Sequence, residues 1–115
     1  MTLSHLDASG RARMVDVSGK PETERVAMAG GEVRMSEQAF ALVQDAARAK
    51  GDVLTTAELA GVMAAKQTSA LVPLCHPIAL DRIAVVAEPV AEWPGVRITA
   101  TARATARTGV EMEAL

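Results

Sequence analysis

The stretch that most constrains the fold of this 115-residue chain runs from Val96 to Arg107. Val96, Ile98, Ala100, Ala102, Ala104 and Ala106 alternate there with Arg97, Thr99, Thr101, Arg103, Thr105 and Arg107. A period of two puts each set on its own side of a strand, so the segment predicts a half-buried β-strand with an apolar face and an Arg/Thr face. Such a strand needs neighbours. Asp81 to Val90 reads as one, joined to it by a turn at Glu92-Trp93-Pro94-Gly95. Upstream, Met14 to Val17 reads as a short strand ending at Ser18-Gly19, and Lys20 to Ala29 as an extended segment before a Gly30-Gly31 turn.

Between these lie segments with a helical period. Ala39, Leu42, Val43, Ala46 and Ala47 fall on one face behind Ser36, a suitable N-cap, and Gly51 can close that helix. Thr55 and Glu58 have the spacing of a capping box, with Leu59, Val62, Met63 and Lys66 repeating behind it, which predicts a second helix from about Thr56 to Gln67. After the long strand, Thr108 or Gly109 can cap a further helix with Glu111 and Glu113 in its first turn. Residues two apart do not share a helix face, so one carboxylate looks inward and the other outward. The order of elements predicts an α+β fold with helices on one face of an antiparallel sheet. Residues 1–13 show no periodicity and read as a mobile N-terminal arm before a single domain over residues 14–115.

Composition narrows the class. Of 57 apolar residues 23 are Ala, so only 34 carry a larger side chain or a thiol, and the core of one chain is thin. With Phe40 and Trp93 as the only aromatics and a net charge of −2, the chain lacks the stacking groups and the basic footprint of a general nucleic-acid binder. One Cys excludes an internal disulfide framework and fits a reducing compartment. The apolar runs are too short to span a bilayer, and the first ten residues lack the pattern of a secretory signal, so a cytoplasmic protein with no membrane partner is expected.

Few residues are equipped for chemistry. Pro73 and Pro77 bracket Leu74-Cys75-His76, forbidding helix and making a stiff loop in which a His loses little entropy on meeting a ligand. The plainer reading is a buried, hydrogen-bonded His and a packed thiol. Lys50 at a helix end is ordinarily a solvated cation; it becomes an acid/base group only if a pocket depresses its pKa. Arg97, Arg103 and Arg107 are a solvated face unless a phosphate or another subunit covers them. No metal-ligand spacing is present, and dinucleotide and P-loop motifs are absent.

Five strings, in order, carry more information than any of these alone: Met14-Val15-Asp16-Val17-Ser18, Lys50-Gly51-Asp52, Ala64-Ala65-Lys66-Gln67-Thr68, Leu74-Cys75-His76-Pro77 and Thr108-Gly109-Val110-Glu111-Met112-Glu113-Ala114-Leu115. Together they closely resemble the molybdenum cofactor biosynthesis protein C family, the cyclic pyranopterin monophosphate synthases. The resemblance implies a ferredoxin-like fold and a homo-oligomer, a hexamer built as a trimer of dimers with active sites at subunit interfaces. It also implies a substrate, 3′,8-cyclo-7,8-dihydroguanosine 5′-triphosphate, converted to cyclic pyranopterin monophosphate with release of pyrophosphate. Lys50 and His76 match catalytic positions; Leu74, Cys75, His76, Met112 and Glu113 match substrate-lining ones; Arg25 and Lys66 match basic pocket positions. No resident cofactor or metal is implied, although Mg²⁺ can accompany the triphosphate. The family pattern continues through a long helix bearing a catalytic Asp and Lys and then a final strand. These 115 residues are therefore expected to be an incomplete domain that is inactive alone, the alternative being a non-catalytic homologue that serves as an assembly or ligand-binding subunit.

The thin core yields a first prediction. Dilute protein should sediment as a dimer or larger, and a cooperative, well-folded monomer at micromolar concentration would refute the expectation.

Overall fold

The structure is a computed structural model that describes residues 6–47 and 52–115. Its elements are β1 (Thr23–Arg34), α1 (Glu37–Ala47), α2 (Val53–Lys66), α3 (Thr68–Leu71), β2 (Arg82–Val90), β3 (Gly95–Ala106) and α4 (Glu111–Ala114). The alternating segment is the middle strand of a three-stranded antiparallel sheet in the order β1-β3-β2. Its register sets Ala102 between Ala27 and Ile83, and Thr101 between Met28 and Ala84. Ala102 and Ala104 are fully buried, and with Ala106, Val110 and Ala114 they form the core, packed against Ala27, Ala29, Ile78, Leu80 and Ile83. α2 and α4 cover this face, so the α+β class and the ferredoxin-like layering expected from sequence hold.

Small residues dominate the core because the layers lie close together. A Cβ on Gly61 of α2 would meet the Val85 side chain of β2 at 3.0 Å, so the helix sits directly on the sheet. At the β2–β3 turn a Cβ on Gly95 would overlap the Val33 carbonyl oxygen and the Trp93 ring. Met35 N–H donates to Pro94 O at 2.9 Å across the same junction, and the Trp93 ring lies under the Arg34 guanidinium, 5.0 Å from its centroid.

Several local expectations are corrected. Gly30-Gly31 is not a turn: β1 runs through it, paired with Thr99 and Ile98, because twelve residues of ladder outweigh the flexibility of two glycines. Met14 to Val17 is not a strand; its backbone meets a side chain instead of a neighbouring strand. The N-cap of α2 is Asp52, whose carboxylate accepts from Leu54 N–H and the Thr55 hydroxyl, both at 2.9 Å. Glu58 is thereby free of any capping box and accepts from Ala87 N–H of β2 at 2.9 Å. In α1 the Ser36 cap is as expected, its hydroxyl accepting from Ala39 N–H at 3.1 Å. Leu42, however, is 70% exposed, and Phe40 is the buried residue. The first residue of α4 is preceded by Val110, not Thr108 or Gly109.

The chain leaves much surface open. Its accessible area is 8006 Å², whereas a folded 12.0 kDa monomer exposes about 6,000 Å² by the usual size scaling. Val26 and Met28, on the side of β1 that faces away from the helices, are 54% and 72% exposed.

Gly95→Ala should destabilise the fold by more than about 1 kcal/mol, since the obstacle includes backbone. A thermal melt should show Tm falling by about 5 °C or more; an unchanged Tm would mean that the turn relaxes around the methyl group.

Candidate functional site

The proline-bracketed loop follows α3. Val72 is extended (φ −99°, ψ 114°), as a residue before proline must be, and its N–H donates to Thr68 O. Leu74 then takes a left-handed conformation with φ of 66°, which costs a leucine roughly 1–3 kcal/mol. It is the only non-glycine residue with positive φ among those described. Cys75 N–H donates to Val72 O at 3.3 Å and closes the turn. Strain at this point directs Cys75 and His76 toward two different neighbours.

His76 meets the segment before β1. Its Nε2 lies 2.6 Å from Val15 O, a carbonyl that can only accept. The ring lines a cavity of about 330 Å³ together with Val17, Glu22, Thr105, Arg107 and Thr108. Arg25 is half-buried nearby: its guanidinium donates to Ala106 O at 3.4 Å and to Arg107 O at 3.5 Å, at the end of β3 that walls this cavity. Asp16, next to Val15, accepts from Ser18 N–H at 2.9 Å. That bond and the neighbouring charges of Arg13 and His76 hold its carboxyl below the usual range.

Cys75 meets α4. Its thiol donates to Glu113 Oε2 at 3.8 Å, a long but sulfur-compatible contact. Glu113 is only 6% exposed whereas Glu111 lies in solvent, so the inward and outward carboxylates expected from the i, i+2 spacing are present. Burial raises the Cys75 pKa, and the adjacent Glu113 carboxylate raises it further by charge and by accepting the thiol proton. Such a thiol is a poor nucleophile and a competent hydrogen-bond donor. Met112 and Glu113 line a second, more apolar cavity of about 430 Å³ between α2 and the sheet.

The structure therefore joins Cys75 to Glu113, places Met112 with Glu113 on the apolar cavity, and sets His76 on a separate cavity with Arg25 at its edge. Lys66 is exposed and lines a separate groove with Asp81 and Arg82, which shares Ile78 and Ala79 with the His76 cavity. Lys50 lies outside the described residues. Of the strand arginines, Arg103 pairs with Glu24 at 3.4 Å, Arg97 lies 6.0 Å from the Trp93 centroid, and Arg107 joins the His76 cavity. Sequence reasoning missed Glu22 and the Val15 carbonyl. Neither has a spacing signal, since one is an isolated acid in a loop and the other is main chain.

Three findings connect this arrangement to known proteins. The MoaC family model matches residues 14–115. The cyclic pyranopterin monophosphate synthase of Brucella ovis is 57% identical over 113 residues, which covers 98% of this chain and 68% of that protein. The synthases of Brucella melitensis biotype 1 and Brucella abortus strain 2308 match with the same identity and coverage.

A raised thiol pKa predicts slow alkylation. At pH 8, Cys75 should react with iodoacetamide more slowly than a free thiol, and Glu113→Gln should accelerate it by removing the repelling charge. The linked stability has a definite sign. The folded pKa is raised, so the contribution is complete below the unfolded thiol's pKa and disappears as pH climbs through the folded value. A Glu113→Gln protein with unaltered alkylation kinetics would remove the carboxylate as a cause.

Proposed function

This chain belongs to the MoaC family, and on that footing we propose that it acts in molybdenum cofactor biosynthesis as a cyclic pyranopterin monophosphate synthase. Its substrate in this reading is 3′,8-cyclo-7,8-dihydroguanosine 5′-triphosphate, and its products are cyclic pyranopterin monophosphate and pyrophosphate. The observation that carries the reading is the Cys75–Glu113 contact, 38 positions apart in sequence, which brings together the two strings the family resemblance marks as substrate-lining.

The roles follow from side-chain chemistry. His76 and Lys50 supply the proton transfers that ring opening and cyclic phosphate closure need. Arg25 and Lys66 neutralise phosphate charge, for which guanidinium and ammonium groups are suited. Leu74, Cys75, Met112 and Glu113 shape the wall, the thiol and carboxylate offering polar contacts to a purine-derived ring. Mg²⁺, where present, accompanies the triphosphate as part of the substrate. The surplus accessible area and the exposed Val26 and Met28 support a homo-oligomer, in this reading a hexamer built as a trimer of dimers. No helix among the described residues is long and apolar enough to cross a membrane, and a cytoplasmic site of action is part of the proposal.

The test is product formation from the cyclic nucleotide triphosphate by an assembled, full-length enzyme that also carries the downstream Asp and Lys the family resemblance implies, since the 115 residues alone are expected to be inactive. His76→Ala and Lys50→Ala should each lower kcat by about 10²-fold or more with a much smaller change in KM, the pattern of lost proton transfer. Wild-type kcat in either variant would remove that residue from the catalytic set, and failure of the parent enzyme to form product would remove the synthase reading itself.

A further inference from the structure

We propose that the main-chain carbonyl of Val15 positions His76 for its work, holding the ring proton on Nε2 and leaving Nδ1 as the nitrogen that receives a proton or a hydrogen bond from a ligand in the adjoining cavity. The inference rests on the proposed role of His76 and goes beyond it by assigning the working atom and the group that selects it.

The geometry is specific. A neutral imidazole has one N–H and one lone pair, and which nitrogen carries which is decided by the partner of the other. At 2.6 Å the Val15 oxygen can only accept, so the tautomer with the proton on Nε2 is the one stabilised. Nδ1 has no hydrogen-bond partner among the described residues, and the ring lines the cavity that also holds Glu22 and Arg107. When Nδ1 takes a proton the ring becomes an imidazolium, and the Nε2–H bond to Val15 O strengthens with the charge.

Both sides of this contact are held by backbone. On the Val15 side, Asp16 clamps Ser18 N–H at 2.9 Å and Lys20 N–H donates to Val17 O at 3.0 Å, so the segment turns sharply after the contact. On the His76 side, Pro73, Pro77 and the left-handed Leu74 limit the loop to few conformations. The charged groups near the ring are Asp16, itself beside Arg13, from the first segment and Glu22 and Arg107 from the cavity wall.

Two measurements on the 115-residue chain test the proposal without requiring turnover. Long-range ¹H–¹⁵N NMR near neutral pH, with a His5→Gln variant to assign the remaining ring, should show His76 protonated at Nε2 with a lone pair on Nδ1. A ring protonated at Nδ1, or one averaging both tautomers, overturns the proposal. The second measurement uses trypsin, which can cut after Arg13, two residues before Val15. In His76→Gln the amide nitrogen takes the place of Nε2, so cleavage should proceed at the parent rate. In His76→Asn it takes the place of Nδ1, and cleavage should be about two- to ten-fold faster, the loss of one hydrogen bond. Equal cleavage of both variants and the parent overturns the proposal. An enzyme that shows the Nε2 tautomer yet makes no product fails as a synthase while the positioning stands, so the two readings fail separately.

Discussion

The pairing of β3 on both of its edges is the constraint on which everything else rests. Because its apolar face is mostly alanine, the covering helices come near enough for Gly61 to touch Val85 and for Val110 and Ala114 to close over Ala102 and Ala104. The same strand delivers the chain to its functional end: beyond Ala106 the backbone turns through Thr108 and Gly109 and sets Glu113 against Cys75. A bulkier inward face would lift α4 off the sheet and separate that pair. Core packing and the candidate site are thus one problem in this fold.

Much of this could be read from the residues. The alternation from Val96 to Arg107, the Ser36 cap and the proline bracket each express a local rule that tertiary structure had no reason to override. What escaped was decided by distant partners. Gly30 and Gly31 look like a turn until twelve residues of β3 lie beside them, and Glu58 looks like a capping residue until a strand presents an unpaired N–H. Leu42 and Phe40 exchanged places because α1 packs on α2, and which of its faces meets that neighbour is not written in its own periodicity. For the site, the residues on the proline-bracketed loop and α4 were legible through family resemblance, whereas the Val15 carbonyl was invisible because any residue there carries the same oxygen. The 14–18 segment was visible as a string, but its mode of action, through main chain onto a side chain, is a property of the folded molecule.

Charge on the open face of the sheet follows the register. Arg82 and Arg103 lie opposite each other, an unfavourable pair that Glu24 relieves from the third strand, while Arg97 stands between Glu32 and Glu88. The middle of that face, with Met28, Thr101, Ala84, Thr99 and Val86, carries no charge. The two arginines of β3 therefore do not make the face basic, since neighbouring strands contribute acids beside both of them.

The Glu58 contact has a consequence for how the sheet can grow. β2 and β1 are its two borders, and on β2 the outward N–H of Ala87 is already taken by the Glu58 carboxylate. Two residues on, Pro89 has no N–H to offer, and its position at the border is what makes it tolerable in a strand. An incoming chain would find that border half-spent before any side chain obstructed it. β1 has no proline along its twelve residues, so the two margins of the sheet are unequal: one is partly blocked by a helix carboxylate and a ring, and the other keeps every N–H of its twelve residues.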